Sequence, residues 1–273
     1  MRRSGTISSK IIIVRGGGDL ATGVVQKFHR AGFSVVILET PEPTAIRRSV
    51  ALCEAVYEGC AQVEDIRCRK VNSTGELEGC WQSGAVALLV DPRGEAIQEI
   101  KPRAVIDAIL AKRNIGTTMN MAEVTIALGP GFCAGKDVHV VIETMRGHDL
   151  GRLILSGYTI PNTNEPGEIG GKSAERVLRA PIAGRVAVHK QIGDVAQQGE
   201  VVFTVDGQAV CAPFTGLVRG LVRDGMVAYA NMKTADIDPR LDIDVRTISD
   251  KARCLGGAAL GAYFYLLNQK KVV

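Results

Sequence analysis

The residues with the clearest chemical pattern follow a short apolar run near the start of the chain. Three consecutive glycines, at 16–18, come directly after the run IIIVR at 11–15, and a helical pattern begins behind them. Gly16, Gly18 and Ala21 match the G-x-G-x-x-A spacing of a dinucleotide-type phosphate loop. In such a loop the glycines let the backbone approach a phosphate, and the N–H groups at the helix start point towards it. The predicted ligand-binding residues of this loop are Gly16, Gly17, Gly18, Asp19, Ala21 and Thr22.

A carboxylate follows at the position where such a loop would use one. The pattern predicts a helix over 20–31 and a second buried strand over 34–38, which completes a βαβ unit. Glu39 closes that strand about 20 residues after the glycines, where dinucleotide-binding folds place an acid on a ribose hydroxyl. Glu39 is therefore a predicted ribose contact.

A second glycine-rich segment, 129–137, follows the apolar strand pattern at 124–128. It does not match a Walker A loop, because Pro130 stands where the first glycine is needed and Asp137 where Ser or Thr would bind magnesium. We interpret the segment as a tight turn beside the ligand edge of the sheet. Its predicted ligand contacts are Gly129, Gly131 and Lys136.

Charged residues within strand patterns are candidates for catalysis. In a strand over 137–143, alternation puts Asp137, His139 and Glu143 on one face, and Asp107 interrupts another apolar run. A histidine and a carboxylate on one face suit general acid–base work or metal ligation, whereas a solvent-facing edge strand has no such role. We carry Asp107, His139 and Glu143 as candidate catalytic residues and assign no metal site.

Composition excludes several classes of function. The 273 residues are 46% hydrophobic and carry a net charge of +4, with the basic residues scattered rather than clustered, so no nucleic-acid partner is expected. The seven cysteines form no C-x-x-C pair, which favours free thiols in a reducing compartment over a zinc site or disulfides. No apolar run is long enough for a membrane span, and the N-terminal one is too short for a signal sequence, so we expect a cytoplasmic protein without a membrane partner.

An internal repeat marks a second domain. The A-P-x-x-G-x-V segment at 180–186 returns at 212–218, and a G-D-x-V-x-x-G-E turn lies between the copies. This arrangement resembles biotinyl/lipoyl modules, which have the barrel-sandwich hybrid fold. Such carriers present a lysine in the hairpin before the second copy, but the hairpin here, 205–209, has none, so we expect no biotin or lipoate.

The predicted fold class is α/β, with a Rossmann-like open sheet followed by a small all-β module and a C-terminal helix. The expected boundaries are 8–155 for the Rossmann-like domain, 156–176 for a linker, 177–245 for the module and 246–273 for the helix. Gly256, Gly257 and Gly261 in that helix favour close packing on another element or on a second subunit, so a homo-oligomer stays open.

Taken together, the glycine loop, the segments 128–132 and 141–148, and the lysine-free module resemble one family. It is the family of YqeB-type accessory proteins of the selenium-dependent molybdenum hydroxylase system, and the N-terminal domain is also similar to the Rossmann part of XdhC-type chaperones. The resemblance implies a maturation factor that binds a nucleotide or a molybdopterin-type cofactor and has the hydroxylase or its cofactor-assembly proteins as partners. The alternative is an NAD(P)-linked oxidoreductase or a nucleotide-dependent transferase that uses Asp107, His139 and Glu143.

Overall fold

A computed structural model describes residues 10–163 and 165–269 of the chain, which form two compact units. Among the described residues, the first unit contains 10–43, 51–162 and 248–269, and the second contains 44–50, 163 and 165–247. The predicted domain ranges also include residues 8, 9, 164 and 270–273, which lie outside the described residues.

The first unit is built on a nine-stranded sheet with the strand order β3-β4-β5-β2-β1-β6-β7-β8-β9. Strands β4 to β8, with β1 and β2, run parallel, and the edge strands β3 and β9 are antiparallel to their neighbours. The carboxyl ends of the parallel strands therefore share one edge of the sheet, here called the carboxyl edge. The strands are β1 Ile11–Arg15, β2 Ser34–Glu39, β3 Cys60–Val63, β4 Ile66–Val71, β5 Val86–Val90, β6 Ala104–Asp107, β7 Val124–Leu128, β8 Val140–Ile142 and β9 Leu153–Ile154.

The central strands are buried on both faces, which explains their nearly continuous apolar sequences. β1 lies between β2 and β6, so the strand order reverses at β1. The helices of this unit are α1 Asp19–Arg30, α2 Ala55–Glu58, α3 Leu77–Gln82, α4 Ala96–Ile100 and α5 Asp250–Gln269.

The C-terminal helix α5 packs along α1. Gly23 lies so close to α5 that a Cβ atom there would collide with the Ala252 carbonyl, and a Cβ atom on Gly256 would collide with the Gly23 carbonyl. Further along both helices, the rings of Phe28 and Tyr263 are 5.7 Å apart. Because the contacts advance in the same direction on both helices, α1 and α5 run parallel. Docking of this helix on another element is thus confirmed.

The second unit contains two four-stranded antiparallel sheets, with orders β10-β17-β15-β12 and β14-β13-β11-β16. No strand pairing joins these two sheets within the described residues, so closure into a barrel is not observed. The strands are β10 Val177–Arg179, β11 Gly184–Val188, β12 Val195–Ala196, β13 Val201–Val205, β14 Gln208–Cys211, β15 Gly216–Leu221, β16 Val227–Ala228 and β17 Lys233–Asp238.

The two repeat copies have equivalent roles in different sheets. The first copy leads into β11 and the second into β15. The predicted two-residue hairpin turn is confirmed at Asp206 and Gly207, which have φ of +43° and +85°. Asp206 is tied back to β11, because its Oδ1 accepts a hydrogen bond from the Arg185 N–H at 2.9 Å.

The predicted class is confirmed at the level of a mixed α/β chain with a large sheet, a small all-β part and a C-terminal helix. Within the residues described above, no helix combines the length and the hydropathy needed to cross a membrane.

Candidate functional site

The glycine loop joins β1 to α1 at the carboxyl edge. The Gly16 N–H donates to the Leu38 carbonyl at 2.8 Å, and the Gly17 carbonyl accepts from the Cys53 N–H at 2.9 Å. A Cβ atom on Gly17 would lie 3.0 Å from the Cys53 nitrogen, whereas one on Gly18 would meet no atom within 4 Å. The loop is therefore packed against protein at Gly16 and Gly17 and open at Gly18, the residue that precedes α1.

Two predicted ligand contacts instead position the loop. The Thr22 hydroxyl donates to the Gly18 carbonyl at 2.9 Å and accepts from the Leu52 N–H at 3.1 Å. Thr22 and Ala21 are both buried. These residues fix the loop against the segment around Leu52 and present no free side-chain atom to a ligand.

Glu39 lies beside the loop, as expected from its position at the end of β2. Its Oε2 accepts the Gly17 N–H at 2.7 Å, and its Oε1 accepts the Thr40 N–H at 2.8 Å. Burial raises the pKa of this carboxyl, against the effect of both backbone bonds. A carboxylate oxygen has two lone pairs, so Glu39 keeps the capacity to accept ribose hydroxyls while it holds the loop.

Asp107 belongs to a buried network at the ends of β1 and β6. Arg15 and Thr117 share this network: Arg15 Nη1 and the Thr117 Oγ1 lie 2.5 Å apart, and Thr117 Oγ1 donates to Asp107 Oδ2, also at 2.5 Å. The Arg15 side chain is 2% exposed. Burial raises the pKa of Asp107, despite the hydrogen bond from Thr117 and the charge of Arg15. The contacts of Arg15 and Asp107 with Thr117 fix the ends of β1 and β6 beside the glycine loop.

His139 lies at the other edge of the sheet. It precedes β8, and its Nδ1 accepts the Thr125 N–H at 3.1 Å near the amino end of β7. Glu143 follows β8 at the carboxyl edge, four residues or about 13 Å further along the strand direction. The structure therefore does not bring His139 together with Glu143 and Asp107.

Glu143 is buried, and its carboxylate is held by the backbone. The Met145 N–H donates to Oε1 at 2.6 Å and the Ile160 N–H to Oε2 at 2.7 Å. The carboxylate lines a small cavity, together with the following side chains: Asp149, Arg152, Ile154, Tyr158, Thr159 and Ile160. Its two bonds order the segment that follows β8.

The second glycine loop is covered by protein. A Cβ atom on Gly131 would lie 2.6 Å from the Arg113 backbone, and one on Gly129 would lie 2.7 Å from the Thr144 hydroxyl. Both glycines have positive φ, so they serve the packing of neighbouring loops rather than an open ligand surface. Lys136 is exposed in the turn before β8, at the opposite end of that strand from the carboxyl edge. Lys136 is therefore not placed at the edge where Gly18 lies.

Lys251, in the first turn of α5, is a charged residue of this edge that sequence reasoning missed. Its neighbours in electrostatic range include Asp19 at the start of α1 and Arg146 after β8. Burial and the charges of Arg146 and Lys112 lower the pKa of Lys251 to about 8. The only signal in the sequence is a lysine in a first helical turn, where positive charge opposes the helix dipole.

Among the described residues, no group of three or more histidine, cysteine, aspartate or glutamate side chains has the arrangement of a metal site. Cys53, the thiol nearest the glycine loop, is buried, and burial raises its pKa far above the usual range. A thiolate nucleophile is therefore not provided at this position.

Comparison with known proteins gives one informative relative. The chain is 44% identical over 270 residues to the uncharacterized protein YqeB of Escherichia coli (strain K12). The alignment covers 98% of this chain and 50% of that protein, so the chain spans about half the length of this relative. No model of a known family matches the chain, and no solved structure is significantly similar to it. The similarity to a YqeB protein is thus confirmed, and the name of that relative assigns it no activity.

Proposed function

We propose that this chain binds a nucleotide or a phosphate-bearing molybdenum cofactor at the Gly16–Gly18 loop. One observation carries the proposal: Gly18 is open, at the amino end of a twelve-residue helix that follows a central parallel strand. The first N–H groups of a helix have no acceptor within it and carry partial positive charge, which favours a phosphate.

The strand order supports a nucleotide as the ligand. Six of the seven parallel strands, β5-β2-β1-β6-β7-β8, follow the 3-2-1-4-5-6 order of dinucleotide-binding sheets, and the seventh, β4, lies outside β5. The glycine loop lies where the order reverses. Ligands of open α/β sheets bind in the crevice at this reversal, outside the carboxyl ends of the strands. We therefore interpret the first unit as a Rossmann-like domain.

Two groups of residues would hold such a ligand. The N–H groups of Gly18 and of the first turn of α1 would donate hydrogen bonds to the phosphate, and the Glu39 carboxylate would accept hydrogen bonds from ribose hydroxyls. For a molybdenum cofactor, which would be cargo here, the same backbone groups would hold its phosphate. The open side of Gly18 gives either ligand room to approach the backbone.

The biological role that we propose is that of an accessory factor in the maturation of a selenium-dependent molybdenum hydroxylase. This rests on the resemblance of the motifs to YqeB-type proteins, together with the 44% identical relative of that name. In this role the second unit, which we interpret as a barrel-sandwich hybrid module, acts as a docking surface for the hydroxylase or its assembly proteins. Its hairpin tip carries Asp206, folded back on β11, where a carrier would present lysine.

The alternative of an oxidoreductase or transferase acting through Asp107, His139 and Glu143 has less support. Asp107 is bonded to Thr117, Glu143 is bonded to two backbone N–H groups, and His139 lies at the amino end of β8. Residues that act together as acid and base have to reach the same bound substrate, and His139 lies at the opposite edge of the sheet from Asp107 and Glu143.

Calorimetric titration tests the ligand site. We expect NAD⁺, ADP or molybdopterin released from a molybdenum enzyme to bind the wild-type chain, and Gly18→Val to weaken that binding at least about tenfold. Gly18 has φ of −66°, which valine adopts, and no protein atom lies near its Cβ position, so the variant should fold normally.

The matched control is Gly79→Val, the same exchange at another open glycine, on α3. Gly79→Val should leave the affinity unchanged. Equal affinity of the wild type and Gly18→Val, or no binding of any of the three ligands, would contradict the proposal.

A further inference from the structure

The amino ends of α1 and α5 converge beside the glycine loop. Ala252 of α5 contacts Gly23 of α1. Asp250 accepts two hydrogen bonds, at 2.9 and 3.2 Å, from the guanidinium of Arg146, a residue in the segment after β8. Lys251 lies between these two anchored residues. Its position is therefore fixed on both sides, next to the first turn of α1.

The Lys251 ammonium lacks a partner of its own. It is partly buried, and within the described part of the chain no hydrogen bond or ion pair is formed by its Nζ atom. Partly buried ammonium groups are normally paired, because removal of the charge from water without a compensating contact is unfavourable. An unpaired lysine at this edge therefore requires a physical reason.

The charged groups around Lys251 come from α1, from the segments that follow β6 and β8, and from α5 itself. Arg146 and Lys112 disfavour its protonated form, and Asp19 and Glu143 favour it less strongly. Glu143 is committed to the Met145 and Ile160 N–H groups. On α5 itself, Asp250 is bound to Arg146 and Arg253 approaches Glu64 at 3.8 Å.

We infer that Lys251 is a phosphate-binding residue of the glycine-loop site and that, with Arg146 and Lys112, it selects a diphosphate-bearing ligand. The inference rests on the proposed function, since it names the class of ligand for that same site. One phosphate would lie on the first turn of α1, and the next would reach Lys251 on the parallel helix α5. A second phosphate brings the negative charge that Lys251 lacks, and each charge-assisted contact strengthens binding.

Proton uptake on binding follows from the same arrangement. The pKa of Lys251 is about 8 in the free protein, because of burial and the neighbouring cations, and a bound phosphate would raise it again. Binding therefore takes up a proton near and above pH 8, and affinity should fall as the pH rises. Between pH 7.5 and 9.5 the phosphates of ADP are already ionised, so their own titration does not contribute.

Titration of inorganic pyrophosphate and of ADP at pH 7.5 and 9.5 tests the inference. For Lys251→Met we expect at least about a tenfold loss of affinity for both probes at pH 7.5 and no further loss at pH 9.5. With ADP, whose phosphates do not titrate in this range, the wild type should lose affinity between these two pH values. Lys136→Met removes the same charge from the exposed turn before β8 and should bind both probes within about twofold of the wild type.

Comparison with Gly18→Val separates this inference from the proposed function. If Gly18→Val loses ADP but Lys251→Met retains both probes with wild-type pH dependence, the Lys251 inference is overturned and the loop proposal stands. If Lys251→Met loses pyrophosphate while Gly18→Val retains ADP, Lys251 is supported as an anion-binding residue and the loop proposal fails. If neither probe binds the wild type, the inference is overturned.

Discussion

In the second unit, two buried aspartates meet three arginines, whereas in the first unit a partly buried lysine meets none of the carboxylates around it. Arg176 and Arg219 approach Asp236 at 2.6 and 3.4 Å, and Arg219 and Arg240 approach Asp238 at 3.6 and 2.8 Å. Burial raises the pKa of Asp238, but the hydrogen bonds from Arg240 and the charges of Arg240 and Arg219 outweigh it and lower the pKa.

The difference separates two uses of buried charge. Charges that satisfy one another, like those on β17, hold a fold together and offer nothing to a ligand. Lys251 carries a charge that the fold does not satisfy, at the edge of the sheet where the backbone at Gly18 is also open. We therefore expect substitutions in the second unit to reduce stability, and substitutions at Lys251 to change ligand affinity.

The largest effect is expected for Asp236→Asn. Removal of one partner from a buried ion pair leaves Arg176 without a carboxylate and Arg219 with Asp238 alone, so the free energy of unfolding should fall by about 3–5 kcal/mol. Denaturant unfolding measures this value. Asp242→Asn, the same exchange at an exposed position, should stay within about 0.5 kcal/mol of the wild type. If Asp236→Asn reduced the free energy of unfolding by less than about 1 kcal/mol, the network would not be structural.

Lys251→Met should increase the free energy of unfolding rather than reduce it. The pKa of this lysine is about 8 in the folded chain and 10.5 ordinarily, so its protonated form opposes folding below pH 8. At pH 7 the free energy of unfolding of the variant should exceed that of the wild type by about 1–3 kcal/mol. Because the unfolded chain keeps this proton up to higher pH, wild-type stability should rise towards the variant between pH 8 and 10.5. A destabilised variant would mean that Lys251 supports the fold.

Gly256→Ala should displace Lys251 without removing its charge. The added methyl group would collide with the Gly23 carbonyl, so α5 must shift. We expect the free energy of unfolding to fall by about 1–3 kcal/mol and the affinity for ADP to decrease. Gly257→Ala is the matched control on the same helix. Nothing lies near its Cβ position, and it should stabilise the chain by about 0.5–1 kcal/mol. Equal melting temperatures for the two variants would argue against close packing of α1 and α5.

The smallest effect is expected for His139→Ala. Its ring binds Thr125 at the amino end of the strands, away from Gly18 and Lys251. ADP affinity measured by calorimetry should change by less than about twofold. A tenfold loss would place the ligand at the other edge of the sheet.

Local patterns predicted the βαβ unit because its signals are local. The apolar run of β1, the glycines and the amphipathic pattern of α1 each need only neighbouring residues, and the structure has all three where they were predicted. The strand predicted over 137–143 is shorter in the structure, and the reason is again local. Asp137 accepts the Cys133 N–H at 2.8 Å and forms a turn, which leaves only Val140–Ile142 in β8.

The charged site could not be predicted in the same way. Lys251 is surrounded by groups from positions 19, 112, 143 and 146, which only the packing of α5 on α1 brings together. The packing of Gly131 against Arg113 likewise depends on a contact between two loops, so an open glycine and a covered one look identical in sequence.

A crystal structure of the chain with the tightest of the tested ligands would test the central claim most directly. We predict a phosphate oxygen within about 3.2 Å of an N–H group at Gly18 or in the first turn of α1. A second phosphate oxygen should lie within about 4 Å of the Lys251 Nζ atom. A ligand bound elsewhere, with Gly18 open and Lys251 still unpaired, would contradict the account.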